Sequence, residues 1–184
     1  MILTGGTAVR LGGADKAAIE IGGVTLLERA LAATMAAVEV VVVGAEVPTS
    51  RPVTWTREEP AGGGPAAGLL AGLDRLAGTP DLVCTLAVDM PKVNPGTVAR
   101  LTWAVEADPE LDGALLVDPS GRRQPLAAVY RRSSLEAARP VDRRSEHGLP
   151  MRRLVGELRL AEVAAVGQEA HDVDTREDLR ALRD

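Results

Sequence analysis

Short aliphatic and β-branched runs punctuate the chain at Met1 to Thr4, Glu39 to Gly44, Val53 to Thr56, Leu82 to Val88 and Ala114 to Val117. Runs of this kind look like the buried strands of a largely parallel sheet. Helical patterns separate them. Thr25-Leu26-Leu27-Glu28 has the form of a capping box and predicts a helix to about Ala37. Pro65 starts a second that closes at Gly78, and Asn94-Pro95 gives a cap and first-turn proline to a third ending near Glu106. Alternation at this spacing predicts an α/β domain with helices on both sheet faces, in which ligands sit at the carboxyl ends of strands. The rhythm changes after Val117: Asp118-Pro119-Ser120-Gly121 predicts a turn, and Gln124 to Tyr130 a strand returning from it. A second capping pattern, Thr175-Arg176-Glu177-Asp178, opens the last helix.

Composition narrows the class. A chain of 184 residues with 46% hydrophobic content fits one domain, residues 1–184, with enough apolar volume for a core. The aromatics are Trp55, Trp103 and Tyr130, with no Phe, so Ala, Val and Leu must build that core. Stacking platforms for single-stranded nucleic acid are not expected. A net charge of −5 also argues against a polyanionic partner, but the charge is unevenly placed. Residues 1–121 carry 8 Lys/Arg against 15 Asp/Glu, residues 122–159 carry 10 against 4, and residues 160–184 carry 3 against 7. The single cysteine, Cys84, excludes an intrachain disulfide framework and suits a reducing compartment. No apolar run approaches membrane-span length, and the N-terminus lacks the features of a signal peptide. The expectation is a soluble, cytoplasmic protein that binds neither nucleic acid nor membrane.

Candidate chemistry begins where the first strand ends. The stretch from Gly5 to Lys16, with glycines at 5, 6, 12 and 13, lets backbone amides approach a ligand closely, which suits phosphates. It is not a Walker A loop, because no Gly-Lys-Ser/Thr triplet closes it. Arg10 adds a planar fork and Lys16 a point charge, each suited to phosphate oxygens. Lys16 and Lys92 are the only lysines among 21 basic residues, which suggests that a compact charge is wanted at Lys16. Asp89 ends the run Leu82 to Val88 and precedes Met90-Pro91, so its carboxylate stands where a parallel strand meets its crevice, a metal-ligand position for magnesium. In His171-Asp172-Val173-Asp174, an extended backbone would turn Asp172 and Asp174 to one face, where two carboxylates can share a cation. Gly62-Gly63-Gly64-Pro65-Ala66-Ala67 formally matches a dinucleotide fingerprint. Glu58 and Glu59 just before it would repel a pyrophosphate, so it reads better as a loop approaching a base or ribose.

Four stretches together resemble the molybdenum cofactor guanylyltransferases of the MobA type, within the nucleotidyltransferase superfamily. They are Leu3-Thr4-Gly5-Gly6 with Arg10-Leu11-Gly12 and Asp15-Lys16; Gly64-Pro65-Ala66-Ala67-Gly68; Val88-Asp89-Met90-Pro91; and Asp172-Val173-Asp174 through Leu179. The resemblance implies a three-layer α/β/α Rossmann-like fold with a mostly parallel central sheet. It implies transfer of GMP from GTP to molybdopterin cofactor with release of pyrophosphate. By that likeness Leu3, Thr4, Gly5 and Gly6 begin the triphosphate cradle, Arg10 meets the outer phosphates, and Lys16 steadies charge at the α-phosphate. Asp89 binds Mg2+, with Asp174 a second metal position, and Glu58 or its neighbour Glu59 contacts base or ribose. Thr4 stands where the family usually has Ala, and Gly44 where it has a nucleotide-contacting Asn; both bear on base choice. Relatives usually start before the first strand, whereas here it begins at the initiator. A CTP-dependent cofactor cytidylyltransferase, a sugar- or isoprenoid-phosphate nucleotidyltransferase and a non-catalytic nucleotide-binding module stay open. The basic segment from Arg122 to Arg159 is expected to receive the anionic second substrate, or a cofactor-delivery or acceptor-enzyme partner.

Overall fold

Each apolar run named above forms a strand in the computed structural model, which describes residues 1–5 and 16–181. Gly6 and Arg10 lie outside the described residues. In chain order the strands are β1 (Ile2–Leu3), β2 (Glu20–Ile21), β3 (Val24–Thr25), β4 (Val41–Val43), β5 (Thr54–Thr56), β6 (Leu82–Ala87), β7 (Gly113–Val117), β8 (Arg123–Arg131) and β9 (Leu160–Ala164). The helices are α1 (Leu26–Ala33), α2 (Gly64–Arg75), α3 (Pro95–Glu106), α4 (Arg132–Ala138), α5 (Met151–Leu154) and α6 (Arg176–Ala181). Seven strands form one sheet in the order β5-β4-β1-β6-β8-β7-β9, and β2 and β3 form a separate two-stranded sheet. Within the large sheet only β8 runs against the rest, antiparallel to β6 and β7. The pairs β1–β4, β1–β6, β4–β5 and β7–β9 are parallel.

Successive strand residues face opposite sides of a sheet, and the core divides accordingly. Leu3, Val41, Val43, Val83, Leu115 and Tyr130 pack with Leu69, Leu70 and Leu73 of α2, Leu135 of α4 and Met151 and Leu154 of α5. On the other face Ile2, Val42 and Val88 meet Leu26, Leu27 and Leu31 of α1. Leu86, Ala114 and Leu116 meet Leu101 and Val105 of α3 beside them. Helices thus cover both faces, giving the expected three layers. Each fully buried leucine contributes on the order of 2 kcal/mol of transfer free energy, so the aliphatic core needs no Phe. Tyr130, the buried aromatic, satisfies its hydroxyl by donating to the Pro125 carbonyl at 2.7 Å.

Some boundaries and elements differ from the sequence expectations. The first helix stops at Ala33 rather than Ala37: beyond it the Met35 and Ala37 amides bond three residues back, to the carbonyls of Ala32 and Thr34 at 3.4 and 3.0 Å, as tighter turns. Thr25 does cap it, accepting from the Glu28 amide at 3.1 Å. The Glu28 carboxylate, however, reaches Ser50 instead of closing the box. α2 ends at Arg75, short of Gly78. α3 is capped as expected, with Asn94 and Thr97 exchanging side-chain hydrogen bonds. Four of these features have no counterpart in the sequence reading: the β2–β3 hairpin, α4, α5 and the sheet-edge strand β9.

Candidate active site

In a parallel sheet all the strands end on one edge, so each segment carrying a candidate residue leaves the sheet on the same side. Thr4 and Gly5 follow β1, Gly44 follows β4, Glu58 follows β5, Asp89 follows β6, and the turn from Asp118 to Arg122 follows β7. From β1 the chain builds β4 and β5 on one flank, then crosses to β6 on the other. The crevice between β1 and β6 is therefore the topological switch point, where open α/β sheets bind ligands.

Lys16, Asp89 and Asp174 meet there. Lys16 opens a short 3-10 turn, Lys16–Ala18, held by the buried Ala17. Asp89 is fixed on either side by buried Val88 and Met90, and the Val88 amide donates to the Leu3 carbonyl at 3.0 Å. Asp174 arrives from the C-terminal strap, the segment 165–175 that leaves β9 and crosses back over the edge. The strap docks through the Val173 amide, which donates to the Asp89 carbonyl at 2.8 Å. Lys16 Nζ donates to Asp89 Oδ2 at 2.9 Å and to Asp174 Oδ1 at 2.8 Å. The lysine side chain is 11% exposed, the Asp174 side chain 53%. Burial works against the ammonium, but Asp174 and Asp89 outweigh it and hold its pKa above the ordinary lysine value. Asp172 and Asp174 are not strand neighbours on one face: residues 171–174 pair with no strand, and Val173 is buried while His171 is exposed.

The remaining candidates line the adjoining edge. The Leu3 side chain packs in the core below the crevice, and Thr4 is buried, its hydroxyl donating to the Val43 carbonyl at 3.1 Å. Gly44 has a φ of 153°, and a Cβ there would stand 1.8 Å from Thr4 Oγ1. The two positions that the resemblance tied to base choice therefore adjoin each other. Glu58 is half-buried and turns toward the glycines, accepting from the Gly62 amide at 3.2 Å, while Glu59 is exposed and precedes the cis Glu59–Pro60 bond. Of the two, Glu58 faces the loop.

Much of the basic segment is committed to internal pairs. Arg139 bridges Asp74 of α2 and Glu146, and Arg143 also reaches Asp74 at 2.7 Å. Arg123 meets Glu162 at 3.0 Å, and Arg159 meets Glu110 at 3.0 Å. Arg122, Arg144, Arg152 and Arg153 form no salt bridge among the described residues. A cavity of about 870 Å³ opens beside α2, lined by Trp55, Glu58, Arg144 and His147 among others. Two contributors lacked a sequence signal. Arg57 Nε donates to the Gly44 carbonyl at 3.0 Å. The Gly148 amide donates to the Gly63 carbonyl at 2.8 Å, joining the basic segment to the glycine loop. Both are contacts between residues far apart in sequence, or to backbone, which residue type does not announce.

Comparisons with known proteins identify the family and the fold. Residues 1–163 match the family model of the MobA-like NTP transferase domain. The chain is 32% identical over 194 residues to the molybdenum cofactor guanylyltransferase of Cupriavidus taiwanensis, covering 98% of this chain and 94% of that one. It is 32% identical over 148 residues to the enzyme of the same name from Mesorhizobium japonicum, covering 76% and 69%. Among solved structures, molybdopterin-guanine dinucleotide biosynthesis protein A from Archaeoglobus fulgidus superimposes with a TM-score of 0.74 at 18% identity, covering 99% of this chain and 95% of that one. The 2-C-methyl-D-erythritol 4-phosphate cytidylyltransferase from Thermus thermophilus gives 0.71 at 24% identity, covering 99% and 96%. These two structural likenesses are of fold. With a family model spanning most of its length and a relative aligned nearly end to end, the chain belongs to the MobA-like NTP transferases.

Proposed function

We propose that this protein transfers GMP from GTP to the phosphate of molybdopterin cofactor, with magnesium and with release of pyrophosphate. The observation that carries the reading is the Lys16 ammonium held between Asp89 and Asp174 at the switch-point crevice. An ammonium that two carboxylates hold at hydrogen-bond distance marks a place for positive charge. Among the described residues no three His, Cys, Asp or Glu side chains cluster to hold a metal. Magnesium fits such a two-carboxylate site, since it takes one or two carboxylates and completes its shell with water and substrate phosphate oxygens. Asp89 and Asp174 would hold the ion, which would supply neutralising charge to those oxygens.

The chain's own part is positioning and charge. The glycine-rich loop that follows β1 is assigned to the triphosphate, and Lys16, turning from its carboxylates, would place a point charge on it. An oxygen of the acceptor phosphate forms a bond to the α-phosphorus as the α–β bridging bond breaks, and pyrophosphate leaves with that electron pair. No protein nucleophile is required. Glu58 is assigned to the base or ribose and the exposed Arg122 turn to the anionic acceptor, alone or on a delivering protein.

The test is pyrophosphate release across GTP, CTP, ATP and UTP, with molybdopterin cofactor or sugar phosphates as acceptor, with magnesium or a chelator. The expected outcome is magnesium-dependent release with GTP and molybdopterin cofactor. Release with sugar phosphates instead, or preference for CTP, would replace the acceptor or the base. Nucleotide binding without pyrophosphate release would leave a binding module.

A further inference from the structure

Glu169 is the one charged side chain that is fully buried among the described residues, at 4% exposure, and it lies outside the crevice. Burial of a carboxylate is costly unless donors and a counter-charge surround it, and here they do. Oε1 accepts from Thr97 Oγ1 at 2.6 Å and lies 3.5 Å from Asn94 Nδ2. Oε2 accepts from the Val166 amide at 2.8 Å and from the Arg100 guanidinium at 2.5 Å.

The placement of these partners gives the residue a role. Asn94 and Thr97 are the capping box of α3, a short loop beyond Asp89; Glu169 lies in the strap, a short stretch before Asp174. Ala170 and Val173, between Glu169 and Asp174, are buried. The contacts close a ring: Asp89, the loop to Asn94, the α3 cap, Glu169, the strap, Asp174, and Lys16 back to Asp89. An apolar side chain could fill this volume without desolvating a charge, but it would not fix the strap's direction; the three oriented donors from α3 and its cap, Asn94, Thr97 and Arg100, do.

We propose that Glu169 is a positioning residue: it clamps the strap to the cap of α3 so that Asp174 stands opposite Asp89, and so sets the spacing of the two carboxylates. The proposal rests on the assignment of those carboxylates to a divalent cation under Proposed function. Glu169 acts through Asp174 and touches no substrate.

Four proteins decide it: wild type, Glu169→Ala, the conservative Glu169→Gln, and Val105→Ala. Val105 is fully buried on α3, about three turns beyond the Asn94 cap, and makes none of the hydrogen bonds to Glu169, so its variant reports lost stability apart from the clamp. Each is measured for Mn2+ affinity without nucleotide by electron paramagnetic resonance, for the magnesium concentration giving half-maximal pyrophosphate release, and for amide hydrogen exchange over residues 170–174. In Glu169→Ala both metal constants are expected to weaken by about tenfold, as when outer-shell support of a ligand is removed, while kcat at saturating magnesium changes far less. Glu169→Gln is expected to fall between, and exchange over 170–174 to accelerate only in the Glu169 variants. Should the alanine variant fail to fold, the glutamine variant decides. Metal constants and exchange unchanged in a folded Glu169 variant, or an equal metal shift in Val105→Ala, overturns the proposal. Wild-type protein that binds no Mn2+ and releases no pyrophosphate overturns the functional reading beneath it instead.

Discussion

Lys16 stands between two carboxylates that would otherwise repel each other across the crevice. Removing its charge leaves that repulsion in place until another cation relieves it. Lys16→Met is therefore expected to show a larger thermal shift on adding magnesium chloride than wild type, while losing turnover, which differential scanning fluorimetry and a pyrophosphate assay read together. Equal magnesium shifts in both would separate the ammonium from the cation position. Asp89→Asn keeps the shape and removes the charge, and is expected to lower kcat by about a hundredfold, as for loss of one electrostatic stabiliser. Thr4 and Gly44 form a second coupled pair. A Cβ at residue 44 would sit 1.8 Å from Thr4 Oγ1, and its φ of 153° is one that side chains rarely adopt. Gly44→Ala should cost at least ~1–3 kcal/mol by overpacking alone. Thr4→Ala in the same chain should return only part of it, because the backbone conformation stays; a double-mutant cycle in urea measures the coupling. Lys16 and Asp89 were legible from sequence because their residue types are unusual for their surroundings, one of two lysines and one carboxylate closing an apolar strand. The Thr4–Gly44 contact was not, since small residues at two strand ends give no sign that they touch.

At the scale of elements, legibility follows how much of an element is buried. β1, β4 and β6 are covered by helices on both faces and read as continuous apolar runs. Among the described residues β9 pairs only with β7, and its Leu-Ala-Glu-Val-Ala residues are half-buried or exposed, so its pattern is too weak to distinguish. The β2–β3 hairpin turns on Gly22 and Gly23, with φ of 61° and 78°. That is the signature of a two-residue primed turn, present in the sequence but flanked by strands of only two residues. The segment carrying Arg139 and Arg143 is fastened to α2 chiefly through Asp74. The hydrogen bond from Arg139, with help from Arg143, holds the Asp74 pKa below its usual 3.8. A carboxyl that is depressed in the folded state stabilises fully above its unfolded pKa and ceases to do so as pH falls through the folded value. Asp74→Asn should thus lower the urea midpoint at neutral pH, and the gap from wild type should hold to about pH 5 and shrink below about pH 4. Trp55 lines the cavity beside this segment, and Trp103 is 71% exposed. Trp55 fluorescence in a Trp103→Phe background therefore follows the loosening, and a pH-independent gap would assign the clamp no electrostatic part.

Across the whole molecule, the sheet sorts charge. The acidic pair Asp89 and Asp174 lies at the switch point, while the turn from Asp118 to Arg122 emerges from the same edge two strands further along. Asp118 organises that turn by accepting from the Ser120 and Arg122 amides at 2.8 and 2.9 Å, which leaves the Arg122 side chain exposed. Arg123 beside it is already engaged with Glu162. The basic character of residues 122–159 therefore narrows, on this side of the edge, to Arg122 with a partial share from Arg123. Attraction of an anionic acceptor by exposed arginines acts over roughly a Debye length and weakens with salt, whereas contacts inside the crevice are screened far less. Arg122→Gln should accordingly raise the KM for the acceptor without a matching rise for GTP, and the rise should fade as sodium chloride increases. Arg123→Gln should act more weakly, because its guanidinium is already shared with Glu162. Steady-state kinetics with each substrate varied at low and high salt distinguish the cases. Equal changes in both KM values would mark the turn as an ordinary solvated rim, and move the acceptor's entry to the Arg144 and His147 side of the same edge, beside Glu58.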